Sequence, residues 1–244
     1  MTEASPEIRN ELVPSGKLRA TINLGNVVLA QQDASTGALG GVSVDLARDL
    51  ARWLGVEAEL FPFDTAGKAF AALKAGACDV GFLAIEPVRA ADLAFTAPYV
   101  VIEGTYLVPA ASPLRAIADV DRDGVRIAAG KNTAYDLYLS RSLRHAKLVY
   151  APSSRAAIEL CLAGETDAVA GVRQPLVAAA AATPGFRVMD GRFQAINQAM
   201  AVLKSRVAGA AYLHGFVEAM KVSGFVAAAL ARSGQSEVAV APAA

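Results

Sequence analysis

Short apolar runs alternate along this chain with amphipathic stretches, and each change of period marks an element. Residues 18–24 alternate loosely and predict a first strand, stopped by Gly25-Asn26. Residues 31–41 are polar and glycine-rich and predict a turn. In 44–54, Leu46, Leu50, Trp53 and Leu54 fall at i, i+4, i+7 and i+8, one face of a helix, and Gly55 follows as its C-cap. A strand over 56–63 and a helix over 65–75, ended by Gly76, come next. The run from Asp79 to Ala84 predicts a buried strand. It breaks at Ile85-Glu86-Pro87, where proline suits the first turn of a helix and not a strand interior. Strand, helix, strand, helix, strand in this order argue for right-handed βαβ units and a parallel core.

The second half continues the grammar. Residues 100–109 are β-rich and lead into a loop with a short helix over 110–124. Strands are predicted at 125–129, 147–151, 167–172 and 186–190, and helices at 134–144, 153–162 and 174–182, with Ser153 or Ser154 as an N-cap. A strand over 195–203 precedes a long amphipathic helix over 208–220 and an apolar stretch over 222–232. Residues 1–16 and 233–244 read as tails. One segment recurs: residues 75–87 line up with 163–175. In both, Ala-Gly ends a helix, an aspartate (Asp79 or Asp167) starts a strand and a proline (Pro87 or Pro175) starts the next helix. Two readings of this repeat stand. It is either βα grammar alone or the sign of two similar α/β lobes facing across a cleft, the usual place for a small-molecule site.

Composition narrows the function classes. The 244 residues make one large domain or two small ones, and 54% hydrophobic against 19% charged residues is ample for a core. Net charge is zero with pI near 6.7 and no basic stripe, so nucleic acid is not an expected partner. Cys78 and Cys161 lie far apart and read as buried thiols, and His145 and His214 are too few for zinc or a Ser-His-Asp triad. No cofactor or metal is expected. No apolar run reaches the roughly 18 residues of a membrane span. The first residues lack the basic start, apolar middle and cleavage site of a secretory signal, which predicts a cytoplasmic chain or one whose signal has been removed.

The candidate chemistry gathers where the first strand-helix edge carries a cation. Arg89 sits about one turn into the helix begun by Pro87, at the carboxyl edge where open α/β sheets bind ligands. It is either the anion anchor of a ligand cleft or an exposed arginine paired with Glu86 at i,i+3.

A set of motifs now falls into one order: Gly16-Lys-Leu-Arg19, Gly41-Val-Ser-Val-Asp-Leu-Ala47 with Leu54-Gly55, Leu73-Lys-Ala-Gly-Ala-Cys-Asp79, Arg89 and Phe95-Thr-Ala-Pro-Tyr99. Residues 125–133 and 163–167 and Gly224-Phe225 complete it. In this order the chain resembles the family 3 solute-binding proteins of ABC importers, over about residues 16–235. The resemblance implies a type II periplasmic-binding-protein fold, two α/β lobes with a ligand cleft, joined by two crossing hinge strands. Lobe 1 would be residues 1–107 with 198–244 and lobe 2 residues 108–197, with hinges at 105–109 and 196–200. It further implies a non-catalytic monomer that closes on a small-molecule ligand in the periplasm and serves the membrane subunits of an ABC transporter.

The resemblance also assigns roles. Arg89 matches the arginine that holds a ligand carboxylate, and Asn132-Thr133 match the lobe 2 helix N-terminus whose amides and hydroxyl cradle an anion. Departures are equally specific. Ala84 and Phe82 replace hydroxyls, Val172 replaces the acid that pairs with an α-ammonium, and Asn26-Val-Val-Leu29 replaces an aromatic. An unpaired α-ammonium would be desolvated at a cost of several kcal/mol. The expected ligand is therefore a small carboxylate or another anionic or polar metabolite, not an ordinary α-amino acid. Arg89 and Arg173 would clamp it beside Asn26 and Ala84, with Glu86 either receiving a cationic group or pairing with Arg89. Two other classes stay open: a cyclohexadienyl dehydratase-like lyase using Glu86 and Lys131 on the same fold, and a cytosolic small-molecule sensor.

Overall fold

The computed structural model describes residues 4–243. The chain divides into two compact units: unit 1 runs to Val101 and resumes at Asn197, and unit 2 is Ile102–Ile196. Both passages fall inside ten-residue strands, Val100–Pro109 and Gln194–Leu203.

Unit 1 opens with α1 (Pro6–Leu12), β1 (Lys17–Asn23), the short pair β2 (Gln31–Gln32) and β3 (Leu39–Gly40), and α2 (Val42–Trp53). It continues through β4 (Glu57–Phe63), α3 (Ala66–Lys74), β5 (Gly81–Ala84), α4 (Pro87–Ala90), β6 (Leu93–Phe95) and the start of β7 (Val100–Pro109). β1 pairs parallel with β4, from Lys17 opposite Glu57 to Asn23 opposite Phe63, and Ala20 bridges Val80 in parallel just before β5. The carboxyl ends of β1, β4 and β5 therefore leave the sheet at one edge. Ala69, Leu73, Leu83, Leu93 and Ala201 form a core cluster beneath this sheet.

Unit 2 contains β8 (Arg126–Gly130), α5 (Ala134–Ser142), β9 (Lys147–Ala151), α6 (Ser154–Leu162), β10 (Ala168–Val172), α7 (Arg173–Ala182), β11 (Phe186–Val188) and the start of β12 (Gln194–Leu203). β8 pairs parallel with β9 and β10, while β10 and β11 run antiparallel to β7. Leu107, Ala128, Ala157, Cys161, Val169 and Leu176 pack at its centre. The rest of β12 then pairs antiparallel with β5 in unit 1, and α8 (Val207–Val222), α9 (Phe225–Arg232) and β13 (Ala239–Val240) close the chain.

The repeat is realised as matching geometry. Thr65 and Ser153 cap α3 and α6 through their hydroxyls, and Gly76 and Gly164 end those helices at φ +72° and +78°. The Asp79 N–H donates to the Arg19 carbonyl at 2.7 Å, and the Asp167 N–H to the Arg126 carbonyl at 3.0 Å.

Two expectations are corrected. The N-terminal tail contains α1, because Ser5 caps it, Pro6 opens it and buried Leu12 lies against Gly209 of α8, whose N–H donates to Glu11 at 2.6 Å. Only residues 1–3 of that tail lie outside the described residues. The C-terminal tail contains β13, which pairs with β7 at Val101 and Val100 and is flanked by buried Val238 and Ala241. Both corrections share a cause. Each segment is too short to show a period, and it is held by partners remote in sequence. No helix among the described residues is long and apolar enough to cross a membrane.

Candidate functional site

The β5–α4 edge of unit 1 holds an acid and a base, both buried. β5 ends at Ala84, and the Ile85 N–H donates to the Asn197 carbonyl at 2.9 Å. Glu86 stays extended at φ −136° and Pro87 starts α4, whose single turn brings the Arg89 N–H to the Glu86 carbonyl at 2.9 Å. That turn carries Arg89 inward. The residue is only 2% exposed, which removes the reading of a surface arginine. Its Nη1 donates to the Ala84 carbonyl at 3.1 Å. Burial pulls its guanidinium down, the charge of Glu86 offsets part of this, and the group stands at about 10, so at neutral pH Arg89 is a cation. Glu86 is equally buried and is the electrostatic partner that the i,i+3 spacing suggests.

Around this pair, Phe82 packs edge-on to Tyr99 with ring centres 6.2 Å apart, and the Tyr99 hydroxyl meets Ser43 Oγ at 3.2 Å. Asn26 lies in the loop after β1. Its N–H donates to Asn23, its carbonyl receives the N–H groups of Leu29 and Ala30, and its side-chain oxygen is buried with no hydrogen-bond partner. Ala84, Glu86, Arg89 and Asn26 are thus brought to the same carboxyl edge of unit 1.

In unit 2, Asn132 and Thr133 form the turn before α5. Asn132 has φ +62°, the only positive φ outside glycine among the described residues, in a region that asparagine tolerates better than most side chains. Thr133 is the N-cap: its Oγ1 accepts the Asp136 N–H at 3.2 Å and donates to the Gly130 carbonyl at 2.8 Å. The Asn132 N–H donates to the Asp136 carboxylate at 2.7 Å. The turn therefore already holds a carboxyl group of its own, the side chain of buried Asp136, whose pKa desolvation raises from its ordinary value. Asp136 is the residue that the sequence reading missed. Its position three residues after Thr133 is the capping-box spacing that could have found it.

Arg173 opens α7 and is committed elsewhere within unit 2. Its Nε binds Glu103 at 2.7 Å, and its remaining nitrogens reach the carbonyls of Met189, at 3.4 Å, and Gly191. Arg192 binds the other Glu103 oxygen at 3.0 Å. Arg173 thus spends its charge on tying α7 to β7 and to the turn before β12. Lys131 lies in the same turn as Asn132 and its charge acts on Asp136. Cys78 and Cys161 are buried free thiols that burial pushes up to about 11.

The sequence matches the model of the bacterial extracellular solute-binding proteins, family 3, over residues 29–233. No curated protein matches it. Among solved structures, the chain is similar to an amino acid ABC transporter substrate-binding protein from Streptococcus pneumoniae bound to L-arginine. That match has a TM-score of 0.79 at 20% identity, over 93% of this chain and 98% of the other. It is similar to the solute receptor for L-cysteine of Neisseria gonorrhoeae, with a TM-score of 0.80 at 23% identity over 94% and 93%. It is also similar to an ancestral amino acid-binding protein described as a precursor of cyclohexadienyl dehydratase, with a TM-score of 0.76 at 23% identity over 91% and 97%. At these identities the likeness establishes the fold, of the type II periplasmic-binding-protein kind. With a family model that spans most of its length, the chain belongs to the bacterial extracellular solute-binding proteins, family 3.

Proposed function

We propose that this chain is a non-catalytic binding protein that captures a small polar or anionic metabolite, a carboxylate foremost, by hinge closure, and passes it to the membrane subunits of an ABC importer. The observation that carries the reading is Arg89: a cation 2% exposed, set at the carboxyl edge of the unit 1 sheet beside buried Glu86. A cation kept from bulk water makes a strong charge-assisted bond to a carboxylate that reaches it, about 1.5–3 kcal/mol net. Asn26, Ala84 and Glu86 complete the proposed contacts in unit 1, and Asn132 and Thr133 those in unit 2. Arg173 is left out because Glu103, Met189 and Gly191 occupy it. An ordinary α-amino acid fits less well than a plain acid, since Val172 stands where its ammonium would need a partner.

Native mass spectrometry of the purified protein, followed by thermal shift across a metabolite panel, tests the reading. A true ligand at a hundred times its Kd adds about 2.7 kcal/mol of stability. Arg89→Ala is expected to abolish that gain; an equal gain in the variant would remove Arg89 from the site.

One observation favours a second reading, elimination on the same fold. Glu86 is a buried carboxylate next to a cation, and elimination needs a proton-transfer group beside an anion clamp. Incubation with prephenate and arogenate decides it: turnover that disappears in Glu86→Gln would replace capture by catalysis.

A further inference from the structure

The strand β7 is held at both ends by partners that do not themselves cross between the units. β13 pairs with it at Val100 and Val101, and β10 from Gly104 to Leu107. β13 lies wholly in unit 1 and β10 wholly in unit 2, whereas its neighbour β12 passes between the units as β7 does. The unit boundary falls between Val101 and Ile102, so Ile102 and Glu103 are the residues left between the two fixed partners. Glu103 is itself tied to unit 2 by Arg173 at 2.7 Å and Arg192 at 3.0 Å, and the Phe193 N–H donates to the Gly104 carbonyl at 3.0 Å. On the unit 1 side, the Ala241 N–H donates to the Tyr99 carbonyl at 3.1 Å, and Val238 and Ala241 are buried. Lys221 Nζ donates to the Pro242 carbonyl at 2.8 Å, from a side chain only 2% exposed that also pairs with Glu218 at 2.7 Å. Burying an ammonium costs solvation, and Lys221 recovers part of it from a carbonyl just past β13.

We infer that β13 is a strap: it fixes the unit 1 end of β7, so that bending between the units is confined to the peptides about Ile102 and Glu103. This rests on the hinge closure proposed above and names its pivot. A hinge closes by large φ/ψ changes in a few residues, and a residue paired to a strand of one unit cannot make them without giving up that pairing. Without β13, residues 99–101 join the bending segment, and the longer segment admits a wider spread of forms.

Deletion of residues 236–244 and, in the full chain, Lys221→Met test this by hydrogen exchange and by the distance between two spin labels. The labels go on Lys68→Cys in unit 1 and Arg155→Cys in unit 2, both exposed, while the native Cys78 and Cys161 are buried. In the deletion, exchange at residues 99–101 is expected to speed up at least about tenfold with 104–107 unchanged, and the label distances to spread more widely. Lys221→Met should move both readouts in the same direction by less. Distances equally spread in the intact and deleted chains overturn the strap, as does faster exchange that runs on through 104–107. If the deleted chain does not fold, Lys221→Met decides by the same two readouts and the same criteria. Hinge closure fails separately: a metabolite that raises the melting temperature of the intact chain without shifting its label distance removes it, and the strap with it.

Discussion

The two copies of the repeat share a backbone and differ in what they do with charge. In unit 1, Asp79 has a fully buried side chain and takes Arg19 at 2.9 and 2.8 Å and Arg206 at 3.1 Å. In unit 2, Asp167 binds the Arg126 N–H at 2.8 Å and its guanidinium only at 3.4 Å, and its side chain is 44% exposed. The cation after each strand differs in the same sense. Arg89 is buried behind a single helical turn, while Arg173 joins the Glu103 and Arg192 network near the surface. An identical strand-helix grammar thus yields one edge with its charges interred and one with its charges spent on scaffolding. Inheritance of the βα geometry does not carry the burial of charge with it. Later elements set that: Arg206 comes from the start of α8, far along the chain, and unit 2 has no counterpart among its described residues.

Breaking the aspartates gives the largest expected effect. Asp79→Asn leaves Arg19 and Arg206 facing a neutral group, and loss of one partner from such a buried network costs about 3–5 kcal/mol. Asp167→Asn removes a half-exposed pair, for which less than about 1 kcal/mol is expected. Urea denaturation of the two variants measures both. Similar losses would mean that the buried network adds nothing beyond the shared backbone.

The same contrast shows what the sequence could tell and what it could not. Local features were legible because their causes are local. The β7 run over 100–109, Ser153 as one of the two serines offered to cap α6, and the glycines at 76 and 164 stand where period and capping chemistry place them. The strand break at Ile85–Pro87 was legible too, since proline forces it. What stayed hidden was long-range. No period announces that Arg206 reaches Asp79, or that Arg173 is taken by Glu103 seventy residues away. For the same reason the direction of Arg89, buried rather than exposed, could not be read from its i,i+3 spacing to Glu86. α1 and β13 were missed as short segments stabilised only by their docking.

Next in size is the surface network of unit 2. Arg173→Met removes the Nε bond to Glu103 and the carbonyl bonds at α7, with about 1–2 kcal/mol of stability expected to go and the Arg89-dependent ligand response expected to stay. A matching loss of ligand response would return Arg173 to the site and undo the contrast between the edges. Its pH dependence has a definite sign. The hydrogen bond from Arg173, then that from Arg192, holds Glu103 below its ordinary value of 4.5. On acidification the unfolded chain therefore takes up this proton first. The stabilisation is complete above 4.5 and is lost as pH falls through the depressed folded value. Glu103→Gln is expected to flatten that part of the acid limb in a pH series of melts.

The smallest effect tests the shared backbone itself. Gly76 and Gly164 sit at φ +72° and +78° after helices of equal length, and a Cβ added at either meets nothing within 4 Å. Alanine there pays only for the left-handed conformation, about 1 kcal/mol, with no steric share. Gly76→Ala and Gly164→Ala should therefore lose nearly equal stability, although the aspartates three residues on differ so widely in burial. Each unit surrounds its glycine with different side chains, so equality isolates the backbone contribution. If Gly76→Ala costs several times more than Gly164→Ala, the strain at that turn is coupled to the buried Asp79 network. The repeat would then be alike in outline only.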